Sequence, residues 1–392
     1  MLLQSEDKLI LSSVKINLCP SELEQLNCLI KLIQDWDYLI TTIIERGIGP
    51  LFYKKLPFLT NSSLIPETVK NKLQQAYYKT FSRSTILYEH FRRIAEAFYL
   101  QDVPVITLKG IYLSEWLYQD IGLRQFSDID LLVKEKEGEK CLRILSDLGY
   151  KPSEISLSES VLSKFELIHY SAMILDGVSV EIHIKLHSDT EKYNLLVPEL
   201  WKNAVLTTIN GINVFTLNTY DLLIHLCLHL DKHFQTGHVQ FTCFNDITNL
   251  LERVSYTLNW TKFTESCKLY KCEEIVFKYI VMNHNYMQAS VPADIIQKYT
   301  FLLTKEDEHL FISYLKSIEI ESKIKRSLHF DYLKNNKKNS DKIKYILGVL
   351  FPSRAFMIQK YKIKNHSFIF LYYPYRYYIG LLGIINSLLG KK

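Results

Sequence analysis

Residues 127–133 read SDIDLLV, and the alternation of polar and apolar side chains in this heptad decides the fold. In an extended strand successive side chains point to opposite faces. Asp128 and Asp130 therefore share one face, while Ile129, Leu131 and Val133 enter the core. A second alternating stretch, VSVEIHIK (178–185), repeats the pattern. Val178, Val180, Ile182 and Ile184 form its apolar face; Ser179, Glu181, His183 and Lys185 form the other. Asp176-Gly177 joins it to HYSAMIL (169–175), and Asp-Gly between alternating runs predicts a two-residue hairpin. Asn210-Gly211 predicts another, between VLTTI and INVF.

Working outward, VPVITL (103–108) is a short buried-type strand run, followed by the turn Lys109-Gly110 and a helical stretch, IYLSEWLYQ (111–119). EGEKCLRILSDLGY (137–150) is an amphipathic helix with Gly149 as its stop. Residues 21–100 read as helical, with Ser21 as N-cap and Glu24 completing a capping box. From Asn218 the chain turns helical again to about residue 320. Strand–helix alternation followed by a hairpin predicts a small mixed sheet. The fold class is α+β (mixed α/β), in four parts. These are an N-terminal helical region (1–100), a core with hairpins (101–217), a helical lobe (218–322) and a basic, aromatic C-terminal segment (323–392).

Two carboxylates side by side repel unless a cation lies between them. With Glu181 as a third acid, the set suits a pair of divalent ions. Magnesium prefers carboxylate oxygens and substrate phosphates, with manganese as a substitute. Two such ions ~3.5–4 Å apart clamp the attacking and leaving oxygens of an in-line displacement at phosphorus. Gly110, between strand and helix, offers a close backbone approach for an anion at a helix N-terminus. Lys109 adds a point charge for a triphosphate and Arg124 a fork. Set against this, a D-x-D pair alone is common at exposed strand ends, and Glu181 and Lys109 each have a plain surface reading.

The string LKGIYLSEWLY…R…SDIDLLV…LGY…VEIHIKLH resembles the uncharacterised nucleotidyltransferase family of the DNA polymerase β superfamily. That family's pattern is a Leu-Lys-Gly turn, an Arg, a D-h-D strand and a later [D/E]-h-H-W strand. HLCLHLDKHF…NDITNLL is similar to its helical H-x-x-x-H and following Asp, so the resemblance spans roughly residues 25–285. It implies a polymerase β-like core and metal-dependent transfer of a nucleoside monophosphate from an NTP, ATP first among them, with pyrophosphate release. Asp128, Asp130 and Glu181 would be the acids. On this reading Lys109 and Arg124 neutralise the triphosphate, Ser127 bonds a phosphate oxygen and His183 faces the acceptor. Two departures stand out. Lys-Gly lies 18 residues before Asp128, where the superfamily usually has Gly-Ser about ten residues before its first Asp, and Ile184 replaces the usual Trp.

His225, His229 and His233 recur on one helix face. With Asp246 they form a metal set, a polar active-site wall, or a structural contact onto the sheet. No Ser-His-Asp or Cys-His arrangement and no glycine-rich P-loop is present, which weakens hydrolase and P-loop kinase readings. The rival class is a non-catalytic module that keeps the fold and binds a nucleotide or partner.

The whole chain has 392 residues, 47% hydrophobic and 23% charged, a globular balance that excludes disorder. Its formal charge of +5 conceals an asymmetry. Residues 323–392 hold 15 Lys/Arg and 2 Asp/Glu, a local +13, so residues 1–322 carry −8. An acidic body argues against a nucleic-acid track. Seven Cys without C-x-x-C spacing write neither a disulfide framework nor a zinc knuckle. No secretory signal and no spanning run is evident, so reduced cytoplasm is the expected compartment. The basic segment is expected to pack on the acidic body as a helical lid, with peripheral contact to an anionic membrane as the alternative.

Overall fold

The computed structural model describes residues 3–153, 168–187, 193–236, 240–316, 339–363 and 366–388. Helices α1 (Ser5–Ser12), α2 (Pro20–Ile30), α3 (Trp36–Glu45) and α4 (Gly49–Lys55) lead to the long α5 (Glu67–Leu100). The predicted N-terminal helical stretch is thus several helices, interrupted by short 3-10 turns at 56–58 and 62–64. The capping box also sits two residues earlier than expected. Cys19 is the N-cap and Glu22 its reciprocal partner, because Pro20 needs no amide partner at the first helical position. Helix α5 buries Leu73, Leu87, Phe91, Ile94 and Phe98, a stripe at helical spacing.

Among the described residues, seven strands make one sheet. They are β1 (Ile106–Thr107), β2 (Asp128–Leu132), β3 (Lys151–Pro152), β4 (Met173–Leu175), β5 (Val178–His183), β6 (Val205–Ile209) and β7 (Ile212–Thr216). Their order is β3-β4-β5-β2-β1-β7-β6. The two central crossings, β2 with β5 and β1 with β7, are parallel, and the β1–β2, β3–β4, β4–β5 and β6–β7 pairs are antiparallel. The mixed sheet matches the expected class. The strand expected over 103–108 pairs only at Ile106 and Thr107, sandwiched between β2 and β7. Both hairpins form at the expected dipeptides. Asp176 and Gly177 take φ +50° and +74°, and Asn210 and Gly211 +49° and +79°. Positive φ at both central residues matches the twist of the flanking strands.

Helix α6 (Lys109–Trp116) follows β1, and α7 (Gly138–Asp147) follows β2, with Gly149 at φ +95° just past its end. Beyond the short α8 (Val197–Lys202), the chain continues in α9 (Thr219–Thr236), α10 (Thr242–Val254), α11 (Trp260–Leu269) and α12 (Glu273–Met287). Helices α13 (Ala293–Tyr299) and α14 (Lys305–Leu315) complete the lobe. One apolar core runs from Leu9 to Leu315 and joins the N-terminal helices, the sheet and the lobe.

The last described helices are α15 (Asn339–Leu350), α16 (Arg354–Tyr361) and α17 (Ile369–Leu388). These helices carry the expectation of a lid packed on the body. Phe356, Met357, Ile363 and Ile369 form a separate small cluster, and Phe370, Leu371, Tyr375 and Tyr378 are exposed. A hydrogen bond from Gln359 Nε2 to the Ser153 carbonyl, at 3.1 Å, links this segment to the sheet domain. Residues 317–338, which hold part of the basic run, lie outside the described residues.

Candidate active site

The site is assembled by strand register. In the parallel β2–β5 pair, Asp130 lies opposite Glu181, Asp128 opposite Ser179 and Leu132 opposite His183. Residues 178–183 alternate buried and half-buried, so Glu181 and His183 emerge on the face opposite the core. On the other side of β2, the Leu108 amide donates to the Asp130 carbonyl at 3.0 Å. That bond carries the next residue, Lys109, alongside the acids.

The side chains then close on one another. Lys109 Nζ lies 3.0 Å from Asp130 Oδ2, and His183 Nε2 lies 3.1 Å from Asp130 Oδ1 and 3.5 Å from Glu181 Oε2. Asp130, Glu181 and His183 each offer a ligand atom, all within 4.8 Å of one another. Burial alone would raise the Asp130 carboxyl, but Lys109 and His183 outweigh it and hold the group well below the usual range. His183 lowers Glu181 as well. Burial would likewise lower Lys109 and His183, yet the adjacent carboxylates hold both raised, and Lys109 is charged.

Asp128 is the exception. Burial and then the neighbouring Asp130 charge push its carboxyl up to about 6. An acid with a folded pKa above its unfolded value stabilises the fold below the unfolded pKa, and that contribution is lost as pH rises through about 6. Asp128→Asn is therefore expected to raise the melting temperature of metal-free protein at pH 7.5, with the gain fading as pH falls toward 4. An equal gain at both pH values would show that Asp128 is not held in this environment.

The strand of phosphate-side residues is placed less simply. Lys109 adopts φ +26°, a strained value for a residue with a Cβ, at the first position of α6. The neighbouring glycine has a steric reason of its own. A Cβ on Gly110 would lie 2.7 Å from Phe126 Cδ2, so the glycine lets Phe126 pack against the start of α6. Gly110→Ala is expected to displace Phe126 and lower stability, and Phe126→Ala in the same chain should recover most of the loss. No recovery in thermal melts would mean that the glycine serves something other than this contact.

Arg124, expected on the triphosphate, is buried and bound elsewhere. Its Nε and Nη2 donate to Asp246 Oδ1 and Oδ2 at 2.9 and 2.7 Å, and the Tyr118 hydroxyl donates to the same carboxylate at 2.9 Å. Arg124 Nη1 is buried without a hydrogen-bond partner among the described residues. Asp246, on α10, thus anchors the segment that leads into β2. Ser127 is exposed at the strand entrance, and Arg83 from α5 bonds its carbonyl at 3.0 Å and that of Gly177 at 2.9 Å.

His225, His229 and His233 line one face of α9 beside this cluster. His229 Nε2 lies 3.4 Å from Lys109 Nζ, and the His229 and His233 ring centroids are 4.4 Å apart. Burial, then the nearby Lys109 charge, lowers His225 and His229 well below the usual range, so both rings are neutral. Through His229 these imidazoles border the Lys109 side of the acid cluster.

Sequence reasoning missed Tyr118, Arg83 and two further histidines. His169 pairs in a bridge with His183, their rings 5.2 Å apart, and His187 lies 5.9 Å from His225. His169 opens the alternating run HYSAMIL, so a signal for it was present.

The sequence model of a family described as uncharacterised nucleotidyltransferase matches residues 33–288. The chain belongs to that family. The match spans α3 to α12 and takes in the complete acid cluster, Lys109, Arg124 and Asp246. None of the curated proteins compared matches the chain. Among solved structures, the antibiotic-resistance factor ANT(2'')-Ia, determined in solution, is 12% identical with a TM-score of 0.35. That alignment covers 52% of this chain and 99% of the other. No helix among the described residues is long and apolar enough to cross a membrane.

Proposed function

We propose that the protein transfers a nucleoside monophosphate from an NTP, with ATP the first choice, to the hydroxyl of an acceptor, releasing pyrophosphate. The reaction would depend on divalent metal, magnesium or manganese. One observation carries the reading: the register that sets Asp130 beside Glu181, with Asp128 two residues earlier on the same face. Three acids from two adjacent strands are the donor set a hard cation takes. Asp128, Asp130 and Glu181 would hold the metal, which supplies charge neutralisation at the transferring phosphorus.

The protein's own groups complete the site. Lys109 is charged and within reach of the acids, so it is suited to meet phosphate oxygens as negative charge accumulates on the leaving group. Glu181 is less buried than Asp130, with its side chain 30% against 8% exposed, and is the acid placed to accept the acceptor's proton. His183, bonded to both carboxylates, fixes their orientation. Neutral His229, with His233 beside it on the same helix face, supplies polar contacts along the α9 wall. Arg124 and Asp246 act at a distance from the phosphates, by fixing the segment that delivers Asp128.

The test incubates pure protein with magnesium and each α-labelled NTP, with and without a cell extract. Label appearing in an acceptor, together with pyrophosphate and only when metal is supplied, supports the reading. A nucleotide that binds tightly while no label moves under any condition points instead to a module that has kept the fold without turnover.

A further inference from the structure

We propose that the C-terminal helices dock on an anionic lipid surface, lying in its plane. The observation is a pair of apolar stripes that the protein leaves in water. On α15, Ile343, Ile346, Leu347 and Leu350 follow i, i+3, i+4, i+7 spacing and share one face. They are 59%, 47%, 49% and 41% exposed. On α17, Leu371, Tyr375 and Tyr378 form a second face at the same kind of spacing, each at least half exposed.

The opposite side of α17 explains why this face is left over. Ile369 is buried in the small cluster, the Tyr373 hydroxyl donates to the Pro352 carbonyl at 2.9 Å, and its ring lies 5.9 Å from that of Phe351. The segment therefore has an inner face that holds it together, and an outer face on which Tyr375 touches Tyr361, ring centroids 5.9 Å apart, while Leu371 and Tyr378 stand in water. Large exposed apolar patches mark interaction sites.

Charge decides the occupant. Residues 339–388 hold seven Lys/Arg and one Asp, and the segment from 323 onward carries +13. A second copy would bring the same positive charge to the same interface. An anionic bilayer surface accepts every part of the pattern: aliphatic side chains at the acyl boundary, tyrosines at headgroup depth and basic residues against the phosphates. Because the described helices include no spanning candidate, the mode is peripheral.

The test is sedimentation of the full-length protein with vesicles of phosphatidylcholine, with and without one third phosphatidylserine. The protein is expected to sediment with the anionic vesicles and to be released as salt rises to about 0.5 M. Leu347→Glu with Leu371→Glu should reduce the bound fraction at least about tenfold. Arg354→Glu with Lys360→Glu, two exposed positions, should weaken binding by about fivefold per residue. All four positions are exposed, so circular dichroism should report an unchanged fold. Equal sedimentation with neutral vesicles, or none with anionic ones, overturns the proposal. So does a concentration-dependent dimer, in the absence of lipid, that Leu371→Glu abolishes, which would assign the face to a second copy.

Discussion

Asp130→Asn is expected to reduce nucleotidyl transfer by at least about three orders of magnitude, because the lost ligand removes charge stabilisation from the transition state. Asn keeps the shape and loses the charge. The substitution also leaves Lys109, whose side chain is only 16% exposed, without its carboxylate at 3.0 Å. Stability should therefore fall along with activity, and the two effects have to be separated. Replacing Lys109 with Met in the Asp130→Asn chain removes the stranded cation and should return much of the stability, with activity still absent. Ser179→Ala, opposite Asp128 on β5, is the mild control. Turnover near wild type in Asp130→Asn would sink the assignment of this cluster as the catalytic centre.

The largest loss of stability is expected at Asp246→Ala, about 3–5 kcal/mol, because it strands a buried guanidinium. The two side chains are 7% and 1% exposed and meet through two parallel hydrogen bonds, with Tyr118 adding a third. Taking away one partner leaves an uncompensated charge, whereas Arg124→Met with Asp246→Leu removes both and should lie much closer to wild type. Denaturant midpoints of the single and double variants measure this difference. A single variant within about 1 kcal/mol of wild type would mean that water reaches the pair. Because Arg124 lies four residues before Asp128, the same loss should loosen the entry into β2 and reduce whatever activity survives.

The sheet and its acid-bearing face were legible because a period of two is a local signal. SDIDLLV and VSVEIHIK each state which side chains face the core, and the Asp-Gly and Asn-Gly turns state where the chain reverses. Pairings across long separations carry no such signal. Nothing near Arg124 announces that its partner is Asp246, so a phosphate role was the natural reading of an isolated arginine before a D-x-D strand. Gly110 carries a second reason that the sequence does not state: beside the anion reading of a glycine at a strand–helix turn, the space it leaves is used by Phe126. The helix start at Cys19 was missed because Ser21 has the better cap chemistry, yet Pro20 fixes the backbone one residue earlier.

The parallel pairing of β2 with β5 also governs when the site comes into being. Parallel neighbours cannot be joined by a tight turn, and here Asp130 meets a residue some fifty positions further along the chain. Closing so long a loop has to precede any reward from the contacts it brings, so this pairing belongs to the slow, non-local part of folding. During synthesis the first two aspartates leave the ribosome well before Glu181 does. Until the later strand arrives they remain an ordinary solvated pair, and a chain arrested at that stage exposes β2 as an unpaired edge. Assembly of the acidic cluster and protection of that edge are thus one event, and an amide-exchange experiment that follows Ile129 and Leu131 during refolding would date both.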